Sequence, residues 1–160
     1  MVITRILAAL CLGAVVGLAC ANTNSKEKSQ VPFDADRWIG EWVTMWNTYD
    51  LKQVDHLFIT DQRLTYLSSE KEGTLQGIEA IREHHRGFGF VEGGKDQSNK
   101  LWVDSLVTTD LGNTAVVAGI WYFERPNGEV QRGPMTMVYL WAGDQYRIVH
   151  MHFANYLEKE

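Results

Sequence analysis

From Lys100 to Tyr156, apolar and polar residues alternate through four long runs, and this pattern restricts the fold more than any other feature of the chain. The runs are LWVDSLVTTDL, TAVVAGIWYFER, VQRGPMTMVYLW and YRIVHMHFANY. Turn signals separate them at Gly112-Asn113, at PNGE and at Ala142-Gly143-Asp144. Successive residues of a strand point to opposite faces, so a period of two gives each run one apolar face and one polar face. Short turns between such runs join antiparallel neighbours. The C-terminal half is therefore expected to be a curled antiparallel sheet with one face on a core.

The preceding half follows a different period. Trp38, Ile39, Trp42, Met45, Trp46 and Tyr49 recur at three- and four-residue steps, which places a helix over Val31 to Tyr49 with Asp34 as its N-cap. Asp50 breaks that helix and caps a second, LKQVDHLF, with Leu51, Val54, Leu57 and Phe58 on one side. RLTYLSS alternates as a strand, and SSEKEGTLQG reads as a polar loop. Gly77 then leads into a third helix, IEAIREHHRGF, with Ile78, Ile81 and Phe88 on its apolar face. Helices followed by strands make the class α+β.

The first residues do not belong to this domain. Arg5 gives a short positive start, and ILAALCLGAVVGLA then runs apolar to Cys20. A transmembrane helix needs about 20 apolar residues, so this run has the length of a signal-peptide core. Residues 1–19 are read as the signal peptide. GLAC resembles a bacterial lipobox, with Gly17 where Leu is usual, while Ala19-Cys20-Ala21 also satisfies an ordinary A-x-A cleavage rule. Cleavage before Cys20 is favoured because a short polar tether, ANTNSKEKSQ, follows it; residues 20–31 are read as that tether and Cys20 as the lipidated residue. The protein is thus expected in a bacterial cell envelope, lipid-anchored, or periplasmic or secreted if Cys20 is unmodified. Neither reading leaves a structural disulfide, so stability must come from one packed domain over residues 32–157. The net charge is −5 and the basic residues are scattered, which argues against a nucleic-acid partner.

Three segments carry a resemblance to a known family: WNTYDLKQVDHLF, GTLQGIEAI and MTMVYLWAGDQYRIVHMHFAN. They resemble the SnoaL-like branch of the nuclear transport factor 2-like superfamily, including the association domain of calcium/calmodulin-dependent kinases. The resemblance implies a cone: a curved, mostly antiparallel sheet wrapped around three helices. That fold hosts isomerases, dehydratases, hydrolases and oligomerisation modules, so it does not itself name a function. In ketosteroid isomerases of this fold the catalytic positions would fall at Trp42, Tyr66 and Met137. An indole is not a comparable hydroxyl donor, a phenol near its normal pKa is a poor base, and a thioether donates nothing. The kinase domains' anion-holding arginines would fall at Met137 and Phe153. The cavity is therefore expected to be aromatic and methionine-rich, lined by Trp42, Trp46, Tyr66, Met135, Met137, Tyr139, Met151 and Phe153, and the same residues could equally be a filled core.

His150 and His152 lie two apart on the last strand. Val149, Met151 and Phe153 are expected to face the core, leaving Ile148, His150 and His152 on the convex face, where the resemblance implies a homodimer. A metal site needs three or four converging ligands, and His56, His84 and His85 sit on helices elsewhere. No metal and no cofactor are expected. Of the adjacent pair His84-His85, one should be half-buried and one solvated. Binding of a small apolar or aromatic molecule is favoured over catalysis, because no convincing carboxylate points inward. The alternative is an isomerase, dehydratase or hydrolase using Tyr66 with Asp61, His56 or a helix histidine. His84 or Asp104 opening into the cone beside Tyr66 would reverse that order.

Overall fold

A computed structural model of the chain describes residues 30–157. The expected signal peptide, Cys20 and nearly all of the tether lie outside the described residues. Helix α1 spans Ala35–Thr48, and its start is fixed by the Asp34 side chain, which accepts a hydrogen bond from the Arg37 N–H at 3.2 Å. It ends where Tyr49 turns left-handed at φ 54°, its N–H reaching the Met45 carbonyl. The Asp50 carboxylate then accepts from the N–H of Lys52 and of Gly93, which starts α2, Lys52–Leu57, and ties down the loop after α3. Trp38, Ile39, Trp42, Met45 and Trp46 form the buried stripe of α1.

The remaining elements are β1 (Thr65–Leu67), β2 (Leu75–Gln76), α3 (Ile78–Gly87), β3 (Lys100–Asp110), β4 (Thr114–Glu124), β5 (Val130–Trp141) and β6 (Tyr146–Phe153). The loop SSEKEGTLQG is not wholly irregular: it contributes β2, which pairs antiparallel with β1. The sheet order is β2-β1-β6-β5-β4-β3. Among the neighbouring strands of this sheet, β1 and β6 run parallel, with Tyr66 opposite Met151. This pairing carries the N-terminal half across the open end of the sheet and brings Tyr66 onto its core face.

Two bulges change which side chains face inward. On β6, Val138 pairs with His150 and Tyr139 with Ile148, so Val149 has no partner of its own. The extra residue shifts the strand's phase. Ile148, expected on the convex face, is 0 % exposed and joins Tyr146, Met151 and Phe153 in the core. His150 and His152 stay outside; His150 Nδ1 lies 2.8 Å from Thr65 Oγ1 across the β1–β6 pair, and His152 is exposed.

The second bulge is on β3. The register moves between Asp104 and Val107, and Ser105 sits at φ 54°. Ser105 and Leu106 together oppose Gly119, where an added Cβ would lie 2.6 Å from Leu106 Cδ2. A side chain there would displace Leu106 and crowd the Asp104 carbonyl, which an added Cβ would approach to 3.1 Å. Asp104 precedes this bulge and faces solvent by ordinary alternation with the inward Leu101 and Val103; its carboxylate accepts from the Ser105 N–H.

Candidate functional site

The cone holds a pocket between α1, α3 and the core face of the sheet. Its floor is a set of interlocked rings. Trp42 stacks on Phe153 at 5.5 Å and 16°, and Trp121 meets Phe153 edge-on at 5.9 Å. The Trp121 indole N–H donates to the Ala154 carbonyl at 3.0 Å, which locks its orientation. Trp46 forms one wall, edge-on to Phe88 of the α3 C-terminus and to Phe123 of β4. Tyr66 and His84 form the other, with ring centroids 5.2 Å apart. Ser68, Ser69, Glu70, Arg125 and Gln131 make a polar mouth. The free space is about 50 Å³ and opens to solvent at the mouth. That is a narrow slot, not a hall for a steroid-sized molecule.

The unpaired polar atoms gather here. Buried side-chain nitrogens and oxygens normally have partners. Seven among the described residues have none, and four belong to residues lining this pocket: Trp42 Nε1, Trp46 Nε1, His84 Nε2 and Arg125 Nη1. Three of those four are donors by chemistry. Burial holds the His84 imidazole below its ordinary pKa; Lys71 adds to this and Glu70 opposes it. His84 is therefore neutral at neutral pH. Burial drives the Tyr66 phenol well above its ordinary value, so it stays protonated and acts as a donor.

His85 lies behind this wall and is fully buried. Its Nδ1–H donates to the Ile81 carbonyl at 2.8 Å, which leaves Nε2 as a bare acceptor without a partner. Trp46, Phe58, Tyr66 and Phe90 surround the ring, and burial pushes its pKa down to about 4. The histidine pair is thus shifted inward from expectation, one buried outright and one half-buried.

Of the eight residues expected to line the cavity, four border this pocket and four lie in the core. Trp42, Trp46, Tyr66 and Phe153 line the pocket. Met135, Met137, Tyr139 and Met151 do not; they are packed in the core. Tyr139 sits against Phe33 at 4.9 Å and its hydroxyl donates to the Trp38 carbonyl, so no space remains there. Neither Met137 nor Phe153 offers a cation. Asp104 is exposed, Asp61 is held by Arg63 at 2.7 Å on the surface, and His56 faces Glu41 at 3.9 Å; none of them lines the pocket. Trp121, Phe123 and Arg125 were not foreseen, although they share one face of IWYFER at every second residue.

No family model matches this sequence, and no curated protein does. Solved structures do. A nuclear transport factor 2-like superfamily protein from Salmonella enterica serovar Typhimurium is 21% identical with a TM-score of 0.62, over 78% of this chain and 89% of that one. A putative ketosteroid isomerase from Parabacteroides distasonis is 19% identical with a TM-score of 0.61, over 83% and 93%. The association domain of C. elegans CaMKII is 18% identical with a TM-score of 0.56, over 72% and 88%. The chain has the nuclear transport factor 2-like fold.

Proposed function

Taking that fold as the premise, we propose that the domain is a small-molecule enzyme of the isomerase or dehydratase sort, moving a proton on a flat, largely apolar substrate. The observation that carries this is His84 beside Tyr66 on the wall of one pocket. A neutral imidazole with an unengaged nitrogen can take a proton from a substrate carbon or hydroxyl. A phenol that stays protonated can donate to the oxygen on which negative charge develops. The indole N–H groups of Trp42 and Trp46 are further donors on the same cavity. The likeness to a structure described as a putative ketosteroid isomerase supports the reaction class.

The second reading is binding without turnover. It is favoured by the placement of acids: among the residues lining the pocket the one carboxylate is Glu70, and it sits at the mouth. Tyr66→Phe separates the two. If the pocket only binds, the change weakens an aromatic ligand by about 1 kcal/mol, the net value of one neutral hydrogen bond. If it catalyses, turnover falls far more than affinity.

The same proposal anchors the domain in a bacterial cell envelope through a lipid on Cys20, on the strength of the apolar run and the polar tether. It also pairs two copies through the outer sheet face around His150 and His152; the likeness to a structure named an association domain supports self-association. Light scattering that finds a monomer at high concentration would remove the dimer.

A further inference from the structure

The fold engages only part of the Arg125 guanidinium. It follows the last residue of β4 and enters the hairpin turn, where its backbone N–H donates to the Glu129 carbonyl. Its guanidinium swings back over the Phe123 ring at 5.7 Å and lines the pocket mouth. Nη2 donates to Gln131 Oε1 at 3.0 Å, and Gln131 in turn donates to Glu70 and to Asn155. Nη1 is buried and has no partner, and among the described residues no carboxylate forms an ion pair with Arg125.

A buried guanidinium donor without an acceptor is costly. Arginine is the side chain best matched to a carboxylate, because its planar fork offers parallel N–H groups. Below it lies a floor of rings, Trp42, Phe153 and Trp121, suited to a flat aromatic body. We infer that the pocket takes an aromatic or conjugated carboxylate, ring inward on Trp42 and Phe153, with its carboxylate on Arg125 at the mouth. This rests on the pocket being a ligand site. Phe123 and Gln131 hold the guanidinium in place for that contact. Glu70 is the opposing charge, and Gln131 and Ser69 engage its Oε1.

Benzoate and benzamide test this, since they share ring and carbonyl and differ in charge. Calorimetric titration of the full domain should show benzoate binding about tenfold or more tighter than benzamide, as a charge-assisted bond predicts. Arg125→Gln should bring the two probes level, Arg125→Lys should restore part of the preference, and Glu70→Gln should tighten benzoate. Circular dichroism confirms that the variants fold. Benzamide binding as tightly as benzoate, with Arg125→Gln changing neither, overturns the carboxylate anchor and leaves the pocket reading standing. Failure of both probes to bind at millimolar concentration overturns both.

Discussion

The rings of His84 and Tyr66 lie 5.2 Å apart, yet they arrive from opposite ends of the fold's logic. Tyr66 is placed by the parallel pairing of β1 with β6, and His84 by the last turn of α3. Tyr66 is buried in the core and His84 is half-buried at its edge, and each has its protonation set by burial.

The lowered pKa of His84 fixes the pH behaviour of any reaction it performs. The group is active as the neutral base. Activity should therefore persist as pH falls through 6.5, the ordinary histidine value, and decline only below it. A pH–rate profile with an acid limb centred above 6.5 would contradict this. Lys71→Gln removes a charge that lowers the pKa, so it should move the limb upward.

His85 makes a separate prediction about stability. Its folded pKa is about 4, below the 6.5 of the unfolded chain. Above pH 6.5 both states are neutral and nothing is lost. Between 6.5 and about 4 the unfolded chain binds a proton that the native state refuses, so stability falls as acid is added, by roughly 3 kcal/mol in all. Below pH 4 this contribution is flat. His85→Met should remove that limb in urea titrations across the range.

Met137 distinguishes core from cavity. It is 0 % exposed and does not line the pocket. Met137→Arg should destabilise the domain by roughly 3 kcal/mol or more, as an unpaired buried charge does. A folded Met137→Arg protein of unchanged melting temperature would show that open space reaches this side chain.

Much of this arrangement was legible. The three- and four-residue recurrence from Trp38 to Tyr49 marks a helix because one face must be buried, and α1 follows it to within a turn at its start. The four alternating runs are β3 to β6. What could not be read is where one extra residue enters a strand. The bulge at Val149 leaves the alternation intact on either side while changing its phase, and it decides the fate of Ile148. The split of the aromatic set was also illegible. Whether Tyr139 or Trp121 borders free space depends on where Phe33 and Trp38 pack, which no local pattern encodes.

Anchoring is checked outside the domain. Cys20→Ser should release the protein from membranes and abolish incorporation of labelled fatty acid. A wild-type protein that is wholly soluble with Asn22 at its mature N-terminus would establish ordinary secretion instead.

The central claim is that His84 and Tyr66 move a proton, and carbon-acid exchange reads this without knowledge of the natural substrate. Phenylacetone offers a flat ring, a ketone oxygen and exchangeable benzylic protons. In heavy water at pH 7.5, proton NMR should show wild-type protein replacing those protons faster than an equal concentration of free imidazole. His84→Gln should abolish the excess, and Tyr66→Phe should reduce it about a hundredfold, as loss of one oxyanion donor does. Exchange no faster than free imidazole, or equally fast in His84→Gln, would contradict the account and leave the pocket as a binding site alone.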